Sequence, residues 1–137
     1  MRDDQARRIR TEPDPFEAFH ISQAFQVGNL IYLSGQAAID ADGQIVGAGD
    51  FDAQAEQTLK NISAVLEAAG SSLDKVFKVT IFLTDMGHFP KVMALRKQWF
   101  RPPYPADTIV EVSALALPEL VIEIEVVALA SGELVDA

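Results

Sequence analysis

Two glutamates near the C-terminus stand in a pattern that could carry proton chemistry. In the run Val-Ile-Glu-Ile-Glu-Val at 121–126, strand alternation places Glu123 and Glu125 on one face and the isoleucines on the other. A glutamate in such an apolar strand can have a raised pKa and act as an acid or base near neutral pH. Glu123 is therefore a candidate acid or base, with a solvated or paired strand carboxylate as the alternative, whereas Glu125 is interpreted as a structural residue.

A third carboxylate, Asp107, lies between a proline-rich turn and a strand. The turn is Pro-Pro-Tyr-Pro at 102–105, and the Thr-Ile-Val run at 108–110 has the β-branched side chains that favour strands. An aspartate here could attract a positively charged or hydrogen-bond-donating group, or activate a water molecule. It could equally cap the turn, as Asx residues often do. The sequence leaves both interpretations open.

The remaining polar residues give weaker signals. Ser34 has no His–Asp partner pattern beside it, which argues against nucleophilic catalysis. As a histidine, His20 could be an acid, a base or a donor, or simply a surface residue before the first strand. His20 and His88 do not form a metal-ligand set, and no glycine-rich phosphate loop is present. We therefore expect neither a metal nor a nucleotide cofactor.

Length and composition limit the class of protein. A chain of 137 residues, 49% hydrophobic, is typical of one globular domain. The absence of cysteine excludes disulfides and thiolate nucleophiles. Nucleic-acid binding rests on phosphate neutralisation, and a net charge of −9 argues against it. We expect no nucleic-acid partner.

The N-terminal segment is charged, with four arginines at 2, 7, 8 and 10 interspersed with two aspartates. It lacks the apolar region of a secretory signal, and no run approaches the ~18 apolar residues of a membrane span. We therefore expect a cytoplasmic protein without a membrane partner. Residues 1–14 are predicted to be a flexible arm, and residues 15–137 a single domain.

The order of predicted elements indicates an α+β fold. A hairpin turns at Gly28-Asn29, and a helix follows the N-cap candidate Asp50 and ends at Gly70. A strand at 76–83 is apolar on both faces, which indicates that both faces are covered. A second helix spans about 89–100, and two strands near 108–114 and 120–129 close the chain. The prediction is a mixed sheet with two helices on one face.

Several short motifs, in order, resemble one family. Five segments are similar to segments of the RidA (YjgF/YER057c/UK114) family of small enamine/imine deaminases. They are Ile-Ser-Gln-Ala at 21–24, Val-Gly-Asn-Leu through Ser-Gly-Gln at 27–36, Leu-Glu-Ala-Ala-Gly at 66–70, Phe-Leu-Thr-Asp-Met at 82–86 and Ile-Glu-Ile-Glu at 122–125. The resemblance implies a RidA/YjgF-like (chorismate-mutase-like) sheet. It also implies a homotrimer built around a threefold axis.

The resemblance also implies a site in clefts between subunits, with one important departure. The family's water-positioning glutamate falls on Glu123, and its carboxylate-binding arginine falls on Asp107. Its tyrosine falls on Ile21 and its asparagine on Met93, a residue type that is more often used in core packing. This chain is thus a divergent member that lacks the substrate-binding arginine. The cleft would also include these residues: His20, Ser34, Gly35, Gln36 and Thr108.

These replacements shape the functional hypothesis. We expect a Rid-family hydrolase acting on a small imine or enamine without the usual α-carboxylate, with weak or absent activity on 2-iminopropionate. Glu123 would activate water, and Asp107 would contact a positive or donating group in the same cleft. Arg96 or Arg101 could replace the missing arginine, although both are expected to face solvent. The alternative is a non-catalytic trimer that binds a small molecule or acts like a chaperone.

Overall fold

A six-stranded mixed sheet with two helices on one face forms the protein. The computed structural model describes residues 2–137. The strand order is β1-β2-β3-β6-β4-β5, and every pair is antiparallel except β4–β5, which is parallel. The elements are β1 (Arg7–Ile9), β2 (Ala24–Val27), β3 (Leu30–Leu33), α1 (Phe51–Ala68), β4 (Val76–Leu83), α2 (Phe89–Trp99), β5 (Ala106–Glu111) and β6 (Ile122–Leu129). This architecture confirms the predicted α+β class.

Helix α1 begins and ends where the sequence predicts. The Asp50 side chain accepts a hydrogen bond from the Ala53 N–H at 3.1 Å, as an N-cap does. Gly70, just beyond the helix, has a φ of 77°, which glycine adopts without strain. The helix buries an apolar face that includes Leu59, Ile62 and Leu66 against the sheet. Apolar burial on this face is the main stabilising contribution to the fold.

The sheet face opposite the helices is not covered within one chain. Side chains alternate along β4, so Val79 and Ile81 face the helices and are buried, whereas Phe82 faces the open side and is half-buried. Large apolar side chains on β2, β3 and β5 remain exposed: Phe25, Val27, Tyr32 and Val110. The prediction that both faces are covered therefore requires another molecule.

The N-terminal segment contributes to the sheet. Strand β1 pairs with β2 over Arg7–Ile9, and the Ile9 side chain is only 3% exposed. The backbone N–H of Thr11 also donates to the Gln23 side chain at 2.6 Å. The predicted boundary at residue 14 is therefore too late, because a three-residue strand has too few positions to show alternation. Met1 of the predicted arm lies outside the described residues.

Candidate functional site

Glu123 lies on β6 with its carboxyl group directly over Gly35. The segment after β3 continues alongside β6: Gln36 and Ile124 exchange two backbone hydrogen bonds of 2.8 and 2.9 Å. A Cβ atom at Gly35 would be 2.8 Å from Glu123 Cδ, closer than real Cβ contacts allow. Glycine at position 35 is therefore what lets the carboxyl group lie flat against the backbone.

A cavity of ≈ 490 Å³, here called the Glu123 cavity, opens beside this carboxyl group. Its lining residues are Phe16, Phe19, Ile21, Ser34, Gly35, Ala37, Ile39, Ala116, Leu117, Leu120 and Glu123. Most of them are apolar, and Glu123 is the one ionisable side chain among them. Burial raises the pKa of Glu123, and the neighbouring Glu125 carboxylate raises it further. Such a group can exchange protons with a ligand closer to neutral pH than an ordinary glutamate.

The Ser-Gly-Gln segment divides into lining and structural residues. Ser34 lines the Glu123 cavity, but its hydroxyl group donates to the Ser22 carbonyl at 2.6 Å. Gln36 is 2% exposed and lines no part of that cavity; its amide donates to the Ser34 carbonyl at 3.2 Å. Gln36 therefore supports the segment, while Ser34 and Gly35 form the wall.

Ile21 and His20 have different positions although they are adjacent. Ile21 lines the Glu123 cavity and is 50% exposed, so it offers an apolar contact where the family tyrosine would offer a hydroxyl. His20 has a left-handed backbone (φ 60°) that ends a 3₁₀ turn, is exposed, and is absent from the lining of the cavity. A role for His20 in the site remains a prediction without support from this geometry.

Asp107 and Glu123 lie on opposite faces of the sheet. Asp107 is paired with Val79, whose side chain is buried under the helices, whereas Glu123 is paired with Phe82 on the open face. Two side chains on opposite faces of one sheet cannot share a cleft within one chain. The predicted shared site can form only across a boundary between subunits.

Asp107 is held by Arg96 of α2. Asp107 Oδ2 accepts from Arg96 Nε at 3.0 Å, and Oδ1 accepts from Nη2 at 2.8 Å, in two parallel bonds. The Arg96 and Asp107 side chains are only 28% and 17% exposed. The expectation that Arg96 faces solvent is therefore wrong, and the positive group that Asp107 contacts within the chain is Arg96. Helix α2 connects β4 to β5, and the parallel pairing of these two strands places Asp107 on the sheet face that the helices cover.

The Arg96–Asp107 pair forms one wall of a second cavity of ≈ 480 Å³, here called the Arg96 cavity. Its lining residues are Met93, Arg96, Lys97, Phe100, Tyr104, Pro105 and Asp107. Met93 is 58% exposed and lines this cavity, so it is not a core residue. Thr108 faces the open side of the sheet, where its hydroxyl accepts from Lys78 Nζ at 2.9 Å. Neither Thr108 nor Arg101 lines this cavity.

Some residues important to the site were missed in the sequence. Leu120 closes the Glu123 cavity, and Gln54 of α1 holds the loop that carries it. The Gln54 side chain is completely buried; its amide donates to the Glu119 carbonyl at 2.7 Å and accepts from the Val121 N–H at 2.9 Å. A glutamine within the apolar stripe of α1 is the signal that could have revealed this role.

The part of the chain from residue 2 to residue 137 contains no cluster of three or more His, Asp or Glu side chains arranged to hold a metal ion. Its helices are all too short or too polar to cross a bilayer.

Comparisons with known proteins agree on one family. Residues 10–130 match the family model described as Endoribonuclease L-PSP. A RutC family protein of Pyrococcus horikoshii is 42% identical over 120 residues, covering 88% of this chain and 94% of that protein. A mouse protein named 2-iminobutanoate/2-iminopropanoate deaminase is 39% identical over 121 residues, 88% of each chain. The crystal structure of RidA from an Antarctic Psychrobacter superposes with a TM-score of 0.82 at 38% identity, covering 90% of this chain and 98% of that one.

Proposed function

Because this chain belongs to the RidA family, we propose that it is a Rid-type hydrolase of a small imine or enamine. In this reaction the imine and one water molecule become a carbonyl compound and ammonia. The observation that carries the proposal is the Glu123 carboxyl group, whose pKa is raised and which lies over Gly35 in an apolar cavity. The mouse relative bears the name of a deaminase of this type.

Glu123 would move the protons of the reaction. As a carboxylate it would take a proton from the attacking water, and as the acid it would give that proton to the departing nitrogen. The raised pKa favours both steps, because the two protonation states are then closer in free energy near neutral pH. The apolar walls would exclude bulk water and hold the carbon skeleton of the substrate.

The proposed substrate lacks the α-carboxylate of 2-iminopropionate. The walls of the Glu123 cavity carry no cation. Arg96, which could have replaced the missing family arginine, is already paired with Asp107. A charge-assisted bond contributes about 1.5–3 kcal/mol, so its loss predicts about tenfold or greater slowing on 2-iminopropionate. The comparison is with an arginine-bearing relative assayed side by side.

The proposed assembly is a homotrimer in which neighbouring chains cover the open sheet face. The exposed Phe25, Val27, Tyr32 and Val110 side chains support this assembly. Asp107 and Glu123 could then approach each other across a subunit boundary, which is the only arrangement in which the predicted shared cleft survives.

The test is release of ammonia from imines generated in the cuvette. An amine oxidase supplies an uncharged imine, and an amino-acid oxidase supplies 2-iminopropionate. We expect the protein to accelerate hydrolysis of the uncharged imine, and Glu123→Gln to remove the acceleration. Equal rates with wild type, Glu123→Gln and no protein would contradict the proposal.

A non-catalytic binding protein is the second candidate. This candidate is supported by the bonds that Ser34 and Asp107 already make within the chain, which occupy their polar atoms. Glu123 is then the one ionisable group of the Glu123 cavity, without a second polar group to assist catalysis. Saturable binding of the carbonyl product, without acceleration of imine hydrolysis, would favour this candidate over the hydrolase.

A further inference from the structure

The guanidinium group of Arg96 is only partly used by Asp107. A guanidinium has five N–H groups. The two bonds to Asp107 use the Nε–H and one Nη2–H, which leaves three: both on Nη1 and the second on Nη2. Within residues 2–137 these three make no further hydrogen bond to a side chain or backbone oxygen. Arg96 also forms part of the wall of the Arg96 cavity, a space of ligand size in which a ligand would lie beside this residue.

The orientation of these donors is well determined. The parallel bonds to Asp107 hold the guanidinium plane, and the Phe89 ring lies 5.8 Å from the guanidinium carbon on the α2 side. The apolar parts of Met93, Phe100 and Tyr104 complete the wall. A ligand entering this cavity would meet fixed donors beside an apolar surface, which is the usual composition of a small-molecule site.

The charge of the pair is what decides the kind of ligand. At 2.8 Å the Asp107 carboxylate cancels most of the field of Arg96, so a ligand carboxylate would feel attraction to one and repulsion from the other. An uncharged carbonyl oxygen accepts the same hydrogen bonds without that repulsion. The remaining cation of the wall, Lys97, is exposed, and solvent and salt screen it.

We propose that the Arg96–Asp107 pair is a specificity determinant that binds an uncharged carbonyl group, such as a carboxamide or ester, and selects against a carboxylate. Arg96 supplies the donors, and Asp107 positions the guanidinium and cancels its charge. The proposal rests on the proposed function in one respect: the bound carbonyl would be the non-reacting end of a substrate hydrolysed at Glu123 of a neighbouring subunit, because Asp107 and Glu123 of one chain lie on opposite faces of the sheet.

The test uses propionamide and propionate, which have the same shape and differ in charge. Each is titrated into the full chain at equal ionic strength, and nuclear magnetic resonance follows the signals of residues around the Arg96 cavity. We expect wild type to bind propionamide at least as tightly as propionate. Asp107→Asn leaves the guanidinium without its counter-charge, so the affinity ratio should move about tenfold towards propionate.

Three further variants separate charge from geometry. Arg96→Gln should weaken both probes, and Arg96→Lys should weaken propionamide although the charge remains, because lysine lacks the planar fork. Lys97→Gln, in the same wall, should change the ratio by less than about twofold. Circular dichroism checks that each variant is folded. If Asp107→Asn does not fold, the propionamide affinity of Arg96→Lys tests the proposal instead.

Any one of four results would overturn the proposal. The first two are a preference of wild type for propionate by about tenfold and an unchanged affinity ratio in Asp107→Asn. The other two are an unchanged propionamide affinity in Arg96→Lys and no binding of either probe at this cavity. The titrations involve no turnover and are repeated with Glu123→Gln. Failure of the proposed hydrolase would appear in the ammonia assay alone, whereas failure of the specificity pair would appear in these affinity ratios.

Discussion

The carboxyl group of Glu123 and the bare backbone of Gly35 are in direct contact across the gap between β6 and the segment after β3. A Cβ atom at position 35 would be 2.8 Å from Glu123 Cδ and 3.1 Å from Oε2. The end of a glutamate side chain can rotate away, whereas the backbone at Gly35 is held by the Gln36–Ile124 bonds. The contact therefore controls where the carboxyl group lies more than whether the chain folds.

Gly35→Ala should lower activity much more than stability. The added methyl group would push the Glu123 carboxyl group from its position, and we expect a loss of about tenfold or more in kcat/KM with a Tm change of only a few degrees. The control is Gly87→Ala, in which the new Cβ would also meet a carboxylate, Asp85 Oδ1 at 2.9 Å, but outside the Glu123 cavity. Equal loss of activity in both variants would contradict a special role for Gly35.

Glu123→Gln should stabilise the protein at neutral pH. The pKa of Glu123 is raised in the folded state, by burial first and by Glu125 second, so the folded state holds this proton more tightly than the unfolded state. The wild type therefore keeps this contribution below about pH 4.5 and loses it as the pH rises through the folded pKa. Thermal unfolding from pH 4 to 8 should show a gap between variant and wild type that grows with pH. A gap that shrinks with rising pH would contradict this assignment.

Breaking the Arg96–Asp107 pair should have a measurable but small energetic effect. Both side chains are mostly buried and make two parallel bonds, so we expect a coupling of about 1 kcal/mol, at the upper end for ion pairs near a surface. The measurement is a double-mutant cycle with Arg96→Gln and Asp107→Asn in urea unfolding. The exposed Lys60–Glu56 pair of α1 is the control, with a coupling of about 0.3–0.5 kcal/mol. A value for Arg96–Asp107 no larger than this control would be evidence against a tightly held pair.

The open sheet face should determine assembly. We expect sedimentation at micromolar concentration to give about three times 14.9 kDa, and Phe25→Asp to dissociate the assembly by placing a charge in the contact. Val135→Asp changes an equally apolar but terminal side chain, 73% exposed, and should have no effect. A wild-type monomer at this concentration would rule out the trimer.

Gln54→Leu should destabilise the fold and disturb the Glu123 cavity together. Leucine has similar size but leaves the Gly47 and Glu119 carbonyls and the Val121 N–H without their side-chain partner, which costs about 2 kcal/mol. Leu120, between these two residues, would lose its fixed position in the cavity wall. Urea unfolding gives the first effect and KM for the imine the second. The exposed Gln98 of α2, which lines no part of the Glu123 cavity, provides a control as Gln98→Leu, in which both effects should be small.

The order of elements follows from local signals that need no distant partner. Asp50 and Gly70 mark the ends of α1 because capping and left-handed geometry depend on residue type. The alternation at 121–126 assigns Glu123 and Ile122 to opposite faces of the sheet, which is also a local property of the strand. The three-residue strand β1 was missed because its pairing with β2, not its own pattern, makes it a strand.

The functional residues were predicted only in part. The resemblance to the RidA family directed attention to Glu123, Gly35 and Asp107, and the structure places the first two in contact. The resemblance did not indicate the partner of Asp107. An arginine on an amphipathic helix such as α2 is expected on the exposed face, so Arg96 was expected to contact solvent. The apolar walls from residues 16–21 and 116–120 were also missed, since loop residues carry no periodic signal.

The sequence by itself determined the fold class, the family and the alternation that gives each strand residue its face, because these depend on residue type and spacing along one segment. Only the tertiary structure decided that Asp107 pairs with Arg96 and lies on the sheet face opposite Glu123. Those relationships depend on how β5 and β6 align beside β4, and a register is set by the packing of the whole sheet rather than by any one strand.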